Sequence, residues 1–281
     1  MTLRQALTEA TAQLAAQPQL QQTAQRDAEL LLLHTLGLPR TALYSAPELP
    51  LTPGQLSLYR DALRRRLTLE PIQYITGTQE FYGLALAVTP AVLIPRPETE
   101  LLVEAVLERL PRDRPVKIAD VGTGSGAIAL ALATHLPLAE VTALDLSPEA
   151  LTVARRNAHT HRLEPRVRLL HSNLLGAVAG ERFDAVVANL PYVPTGDLPE
   201  LHPQVADYEP HSALFAGPDG LDAYRQLLPQ ARAALGPGGL LALEFGQGQA
   251  AAVRDLLTDW YDILTLKDLQ GIVRTCMAWR S

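Results

Sequence analysis

The chain has 281 residues, of which 47% are hydrophobic and 19% charged, with a formal net charge of −6 at pH 7. This size and composition fit a globular protein with one large domain, or with one domain and a smaller one. The acidic balance argues against a protein that binds mainly to a nucleic-acid backbone, which requires a basic face. The single cysteine, Cys276, excludes an intramolecular disulfide and a cysteine-based zinc site, and no metal is expected.

Targeting segments are not expected from the sequence. There is no run of eighteen apolar residues, so we expect no membrane span. The first thirteen residues lack the basic-then-apolar pattern of a signal peptide. Together with the single cysteine, these features favour a cytoplasmic protein.

The first third of the chain has the pattern of a small helical domain, predicted over residues 1–73. Its predicted helices are Thr2–Ala16, Arg26–Leu36 and Thr52–Leu69. Thr52 and Gln55 have the spacing of a capping box. Such a bundle is too small for a strong core of its own, so we expect it to pack on something else. The basic cluster Arg64-Arg65-Arg66 is interpreted as a solvated helix face.

Residues 74–95 change character and predict a linker that contains a short β-hairpin, because β-forming residues there are interrupted by glycine. Residues 96–281 then alternate between strand and helix patterns. The seven predicted strands are Val116–Val121, Glu140–Asp145, Arg166–His171, Ala185–Ala188, Leu240–Phe245, Ile263–Lys267 and Ile272–Trp279. Helical stretches between the first six indicate a parallel, doubly wound α/β sheet. Only Asp268–Gly271 joins the last two, so the seventh strand is predicted to be antiparallel.

A glycine-rich segment, Asp120-Val-Gly122-Thr-Gly124-Ser-Gly126-Ala127, lies between the first predicted strand and an apolar helix. Glycines allow a sharp turn and a close approach to a ligand, and the helix N-terminus offers free N–H groups. The spacing also satisfies the G-x-G-x-x-G/A dinucleotide fingerprint, so the glycines alone leave NAD and S-adenosylmethionine open. A tight turn without a ligand is the other interpretation.

Two carboxylates flank this loop. Asp145 ends the second predicted strand, 23 residues after Gly122, where it can accept both ribose hydroxyls of an adenosine. The alternative is a turn or helix cap before Ser147. Asp120 would repel a pyrophosphate but suits the ammonium of a methionine moiety, directly or through water. This charge and the antiparallel strand favour S-adenosylmethionine.

Residues Asn189-Leu190-Pro191-Tyr192 follow the fourth predicted strand, at the edge where such sheets bind ligands. Pro191 restricts Leu190 to extended geometry, which can hold the Leu190 carbonyl outward. That carbonyl and the Asn189 side-chain oxygen can both accept from one NH2 group, with Tyr192 as a flat face beside it. Such a clamp would orient a nitrogen toward a methyl sulfonium. An Asx-type turn is the alternative.

The tetrapeptide resembles the N-P-P-Y motif of amino methyltransferases, with Leu190 in place of the first proline. Nearly the whole chain resembles the PrmC/HemK family, the protein-glutamine N5-methyltransferases of peptide chain release factors. The segments that carry this resemblance are Arg26–Leu31, Glu70–Gly77, Glu80–Gly83, Ile94–Glu100, Asp120–Ala127, Tyr208–Pro210, Gly217–Arg225 and Leu243–Gly246.

The resemblance implies a seven-stranded Rossmann-like class I methyltransferase fold with a helical N-terminal domain that binds substrate. It implies S-adenosyl-L-methionine as cofactor, and as substrate the glutamine of the G-G-Q loop of class-1 release factors, with no membrane and no direct nucleic-acid substrate. Catalysis is assigned to Asn189, Leu190, Pro191 and Tyr192. The implied cofactor-binding residues are Asp120, Gly122, Thr123, Gly124, Ser125, Gly126, Asp145, Leu146, Asn173, Leu174 and Asn189.

Asn173 stands where the family commonly has an acidic residue, although its side-chain oxygen can still accept from the adenine amine. The segment Arg96-Pro-Glu98-Thr99 is expected either to close over the cofactor and order the linker, or simply to start a helix. Glu244, at the end of the fifth predicted strand, receives no role.

Other functions stay open beside this one. A DNA or RNA amino methyltransferase would need a basic target-recognition region, but residues 1–75 hold seven Lys/Arg against six Asp/Glu. It would also need stacking surfaces for a flipped base, and only 5% of the residues are aromatic. A ribosomal-protein glutamine methyltransferase, a nucleotide-binding adaptor without turnover and a dehydrogenase are the remaining alternatives.

Overall fold

The computed structural model describes all 281 residues. Its helices are α1 (Leu3–Ala15), α2 (Ala24–Leu36), α3 (Ala42–Ser45), α4 (Pro53–Leu67), α5 (Ile72–Thr76), α6 (Glu100–Leu107), α7 (Ala127–His135), α8 (Pro148–Thr160), α9 (Pro203–Ala206), α10 (Asp222–Ala234) and α11 (Ala250–Leu256). Its strands are β1 (Thr78–Phe81), β2 (Leu84–Ala87), β3 (Val116–Val121), β4 (Ala139–Asp145), β5 (Val167–His171), β6 (Phe183–Asn189), β7 (Leu235–Glu244), β8 (Trp260–Lys267) and β9 (Val273–Arg280).

Residues 1–77 and 202–208 form a compact helical unit. The three predicted helices are present as α1, α2 and α4, and both α1 and α4 begin with a capping box. In α4, the Thr52 hydroxyl accepts from the Gln55 backbone, and the Gln55 side chain accepts from the Thr52 backbone. Leucines with no exposed surface, among them Leu14 and Leu31, fill the space between these helices.

Arg66 is buried, so the interpretation of the whole basic cluster as a solvated face is wrong at this residue. Its Nε donates to Asp27 Oδ2 at 2.7 Å, and its Nη1 donates to Gln204 Oε1 at 2.9 Å. The Tyr208 hydroxyl donates to the Thr68 carbonyl at 2.7 Å. Segment 202–208 therefore belongs to the helical unit although it lies far along the chain.

The hairpin formed by β1 and β2 begins later than predicted. Helix α5 extends to Thr76, so residues 74–77 fold with the helical unit and not with the hairpin. The hairpin itself belongs to the second unit, which comprises residues 78–201 and 209–281.

The second unit contains a seven-stranded sheet in the order β5-β4-β3-β6-β7-β9-β8. Strands β3 to β7 are parallel, whereas β9 is antiparallel to both of its neighbours, which confirms the predicted antiparallel seventh strand. The segment between β5 and β6 holds only a 3-10 turn, Gly176–Val178, where a helical stretch was predicted.

Helices cover both faces of this sheet. Alternate side chains of each strand point to opposite faces, so each strand contributes to two cores. In β3, Val116 and Ile118 pack in one core with α6 and α7. Ala119 and Val121 pack in the other core with α10 and α11. None of the helices has the length and apolar character needed to cross a bilayer.

The parallel strands end together at one edge of the sheet. Val121 at the end of β3 is paired with Leu144 of β4 and with Ala188 of β6. Asp145 and Asn189, each the last residue of its strand, therefore lie on either side of the loop that follows β3.

Candidate active site

A cleft of about 660 Å³ opens at the carboxyl edge of the parallel strands. The predicted site residues that line it are Gly122, Thr123, Gly124, Ser125, Asp145, Leu146, Asn173, Leu174, Asn189, Leu190 and Pro191. Asp120, Gly126 and Tyr192 do not line it. The structure thus brings both ends of the predicted site, the glycine loop and the tetrapeptide, to one cavity.

The glycine loop turns tightly between β3 and α7. Gly122 has φ +74°, and its N–H and that of Thr123 both donate to the Leu144 carbonyl, at 2.8 and 2.9 Å. Gly124 has φ +56°, and its N–H donates to Asp145 Oδ2 at 2.8 Å. Side chains disfavour this left-handed backbone, so glycine is required for the turn. Gly126 then serves as the N-cap of α7.

Asp145 is half-buried and lies between the glycine loop and α8. Its Oδ1 accepts from the Ser147 N–H at 2.9 Å, while its Oδ2 accepts from Gly124. Burial raises the pKa of Asp145, and these backbone hydrogen bonds oppose that effect. The helix cap is Ser147, whose Oγ accepts from the Ala150 N–H. Asp145 thus forms a turn and also lines the cleft, so a role in the turn is compatible with a role in binding a ribose.

Asp120 lies beneath the loop, which differs from the prediction that it faces the ligand. Its side chain is fully buried, and its Oδ2 accepts from Thr123 Oγ1 at 2.6 Å and from the Ala129 N–H at 3.0 Å. The other oxygen, Oδ1, has no hydrogen-bond partner. Burial raises the pKa of Asp120 to about 7. The carboxylate therefore fixes the loop to the start of α7 and retains one free acceptor.

Part of the cleft lining is apolar and includes a neighbouring amide. Leu146 is 62% exposed, and it lies with half-buried Leu174 on the cleft wall. Exposed Asn173 lies beside them. Two apolar side chains next to an amide suit a planar ring that carries an amino group.

Asn157 of α8 supports the glycine loop and was not singled out from the sequence. Its Nδ2 donates to the Ser125 carbonyl at 2.8 Å and to the Ala87 carbonyl at 3.0 Å. Its Oδ1 accepts from the Ala87 N–H at 2.7 Å. This buried amide therefore joins the hairpin to the loop with its donors and its acceptor satisfied.

Asn189 reaches across the site to the segment before α6. Its Nδ2 donates to Thr99 Oγ1 at 3.1 Å, and both residues line the cleft. The side chain makes no hydrogen bond to its own turn, so the Asx-turn alternative is wrong. With the nitrogen engaged, the Asn189 side-chain oxygen is available as an acceptor.

The three residues after Asn189 only partly follow the prediction. The Leu190 carbonyl lies 3.4 Å from the Tyr224 hydroxyl, whose shorter bond of 2.5 Å goes to the Glu244 carbonyl. The carbonyl thus keeps a lone pair for another donor. Tyr192 packs away from the cleft against Gly246, so it does not present the predicted flat face there. Burial raises the pKa of Tyr192 to about 12.

The rim of the cleft also contains residues that sequence reasoning left without a role. Pro210 and Phe215 line it. Next to them, buried Glu209 accepts from Arg96 Nη2 at 2.5 Å and from the Ile94 N–H at 3.2 Å. This carboxylate therefore joins the rim to the segment that carries Arg96, which also lines the cleft. The segment Tyr208-Glu-Pro210, which resembles the family, was the sequence signal that could have identified this part of the cleft.

A parallel sheet with an antiparallel seventh strand, a glycine loop after its first strand and a carboxylate after its second define a class I methyltransferase. The structure of a methyltransferase from Pyrococcus furiosus has this fold, with a TM-score of 0.53 and 18% identity over 71% of this chain and 90% of that one. The family model for the PrmC N-terminal domain matches residues 5–77, and that for the methyltransferase small domain matches residues 97–200.

No group of three or more His, Cys, Asp or Glu is arranged to hold a metal ion.

Curated relatives extend this match to the full length. The release factor glutamine methyltransferase of Moorella thermoacetica is 50% identical over 287 residues, covering 100% of this chain and 99% of that protein. The protein of the same name from Koribacter versatilis is 46% identical over 275 residues, covering 98% and 97%. The chain belongs to the release factor glutamine methyltransferase family.

Proposed function

We propose that the protein transfers a methyl group from S-adenosyl-L-methionine to the side-chain amide nitrogen, N5, of the glutamine in the G-G-Q motif of class-1 release factors. The observation that carries this proposal is the orientation of Asn189, whose nitrogen is bound by Thr99 and whose oxygen is left as an acceptor. The names of the relatives support the substrate.

The residues of the cleft fit the cofactor. Asp145 offers carboxylate lone pairs at the strand end, where ribose hydroxyls bind in such folds. Leu146, Leu174 and Asn173 match the adenine ring and its amine. The charge of Asp120, whose Oδ1 has no hydrogen-bond partner beneath the glycine loop, suits the ammonium of the methionine moiety across that loop and not by direct contact. When bound, S-adenosylmethionine would supply a methyl group that is activated by its cationic sulfonium sulfur.

The protein then has mainly to orient the amide. An amide nitrogen is a weak nucleophile because its lone pair is delocalised into the carbonyl group. The Asn189 oxygen and the Leu190 carbonyl accept its two N–H groups, which orients the nitrogen and increases its electron density. These acceptors also stabilise the positive charge that develops on the nitrogen, and they guide the proton that leaves it toward water.

We further propose a division of labour along the chain. Residues 1–73 hold another face of the release factor, residues 74–95 link the domains, and residues 96–281 bind the cofactor and transfer the methyl group. The match of the PrmC N-terminal domain model to residues 5–77 supports the first assignment. A release-factor substrate places the activity in the cytoplasm.

The proposal is tested with purified protein, S-adenosylmethionine labelled in its methyl group, and three acceptors supplied separately: a class-1 release factor, ribosomal proteins and DNA. We expect label on the release factor alone. Label mainly on ribosomal proteins would identify the sister activity, and label only on DNA would identify a nucleic-acid methyltransferase. Either result would overturn the proposal.

A further inference from the structure

Three polar residues form a row across the carboxyl edge of the sheet. Asn189 of β6 is paired with Glu244 of β7, and Glu244 is paired with Thr275 of β9. Directly paired residues share one face of a sheet, so the three side chains are neighbours. Glu244 and Thr275 are 2% and 0% exposed. Neither lines the cleft, so Glu244 lies behind Asn189 as seen from the cleft.

Glu244 is an unusual residue for a buried position because its carboxylate is poorly satisfied. Its Oε2 has no hydrogen-bond partner, and neither has the Thr275 hydroxyl. A buried carboxylate without full hydrogen bonding is costly for a fold. The end of a buried strand would be more stable with an apolar residue, so a function at the adjacent Asn189 accounts for the glutamate better than packing does.

The groups around Glu244 include both Asn189 and Thr99, which are hydrogen-bonded to each other. Burial raises the pKa of Glu244 to about 7, and interactions with the Thr99 hydroxyl, Arg274 and the Asn189 side chain oppose this rise, whereas Glu98 adds to it. Tyr192 and Tyr224 are the remaining titratable groups that interact with this carboxylate, and it raises the pKa of both. Glu244 is therefore linked electrostatically to the two residues that form the 3.1 Å hydrogen bond.

An asparagine amide can occupy its position in two orientations related by a flip, but only one places the oxygen toward the cleft. In that orientation Asn189 Nδ2 donates to Thr99 Oγ1. The Thr99 hydroxyl proton is then free to interact with a carboxylate. An ionised carboxylate accepts and never donates, so it attracts Nδ2 and repels the side-chain oxygen of Asn189.

We propose that Glu244 is a positioning residue that, together with Thr99, holds the Asn189 side-chain oxygen toward the cleft. This inference rests on the proposed function of Asn189 as an acceptor for the substrate amide. A protonated Glu244 can donate, so it no longer distinguishes the two amide orientations. Positioning therefore strengthens as pH rises through the pKa of this carboxyl, about 7.

The variant Glu244→Gln keeps the size of the side chain and removes its charge. We expect kcat to fall roughly 10- to 100-fold, as for a displaced orienting group, with unchanged cofactor affinity and release-factor KM. The rise of kcat with pH near 7 should disappear. Thr99→Val should lower kcat in the same way, and Thr99→Ser should retain it. Glu140→Gln, an exposed position at the amino end of β4, is the matched control.

A second readout needs no substrate. The side-chain NH2 resonance of Asn189, assigned by its absence in Asn189→Asp, should shift with pH near 7 in the parent protein and not in Glu244→Gln. A resonance that does not respond to pH, or a parent-like kcat in folded Glu244→Gln, would overturn the inference. Absence of methyl transfer to a release factor by the parent protein would instead defeat the proposed function, and the resonance would still decide the role of Glu244.

Discussion

Gly122 of the glycine loop lies directly against Leu190 of the clamp: a Cβ on Gly122 would be 2.9 Å from Leu190 Cδ2 and 3.7 Å from the Asn189 carbonyl oxygen. The cofactor side and the substrate side of the cleft therefore meet at one contact. Leu190 is also the position at which the chain departs from N-P-P-Y, and its buried side chain occupies the space that Gly122 leaves open.

Gly122→Ala should therefore affect the clamp as well as the loop. Its positive φ strains any side chain, and we expect the free energy of unfolding to fall by about 1–3 kcal/mol. The added methyl group also displaces Leu190, so kcat at saturating cofactor should fall. Gly124→Ala is the control, because it has a positive φ but no atom within 4 Å of a new Cβ. Equal losses of kcat in the two variants, measured in the same transfer assay, would contradict this account.

Asn189→Ala removes the side-chain acceptor of the clamp. We expect methyl transfer to fall by roughly 100-fold or more, since a directed acceptor at the reacting group is lost. Cofactor affinity, measured by calorimetry, should remain largely intact because Asp145 and the glycine loop are unchanged. Undiminished turnover in this variant would remove Asn189 from the clamp.

Asp145→Asn replaces one carboxylate oxygen by a donor. We expect cofactor affinity to fall roughly 10- to 100-fold, since hydrogen bonds to charged groups contribute about 1.5–3 kcal/mol. The effect should appear in the dissociation constant and not in kcat at saturation. Asp184→Asn is the control, because Asp184 also accepts from a strand backbone N–H but does not line the cleft. Equal affinities in the two variants would show that Asp145 is only a turn residue.

Asp27→Asn tests the buried ion pair of the helical unit, in which both side chains are 6% exposed. The variant leaves the Arg66 guanidinium buried without its counter-charge, so we expect the free energy of unfolding to fall by about 3–5 kcal/mol. The control is Asp61→Asn, which removes an exposed pair with Arg64 and should cost less than about 1 kcal/mol. Denaturant titrations measure both changes, and similar values would argue against a structural role for the buried pair.

Asp120 should make stability depend on pH. Its pKa is raised from 3.8 in the unfolded chain to about 7 in the fold, so the folded state binds more protons between these values. The free energy of unfolding of the cofactor-free protein should thus decrease as pH rises through this window, relative to Asp120→Asn. Glu244 also lowers the free energy of unfolding as pH rises, but both proteins contain it, so its contribution cancels in the comparison. A difference between the two proteins that does not vary with pH would contradict the raised pKa.

The positions of the glycine loop, Asp145 and Asn189 could be predicted because each follows a strand, and the carboxyl ends of parallel strands share an edge. The contact of Asn189 with Thr99 could not be predicted, because it joins residues that are 90 positions apart and depends on where the segment before α6 packs. The pairing of Asn189 with Glu244 likewise follows from the strand order, which no local pattern encodes.

The predictions for Arg66 and Tyr192 were wrong for the same physical reason. Arg66 has the local signature of an exposed helix residue, but Gln204, 138 residues away, packs over it. Tyr192 follows a motif that suggests a stacking surface, but its backbone carbonyl is held by Gln249 Nε2 at 2.8 Å and its ring packs inward. Burial of a single side chain is decided by distant segments, and periodicity reports only its own element.

The position of the transferred methyl group tests methylation of the release factor most directly. Purified protein is incubated with S-adenosylmethionine and either a class-1 release factor or its variant with Gln→Ala in the G-G-Q loop, and both products are mapped by mass spectrometry. We expect one methyl group on the side-chain amide of that glutamine and none on the variant. Equal methylation of the variant, or a methyl group on another residue only, would contradict the proposed reaction.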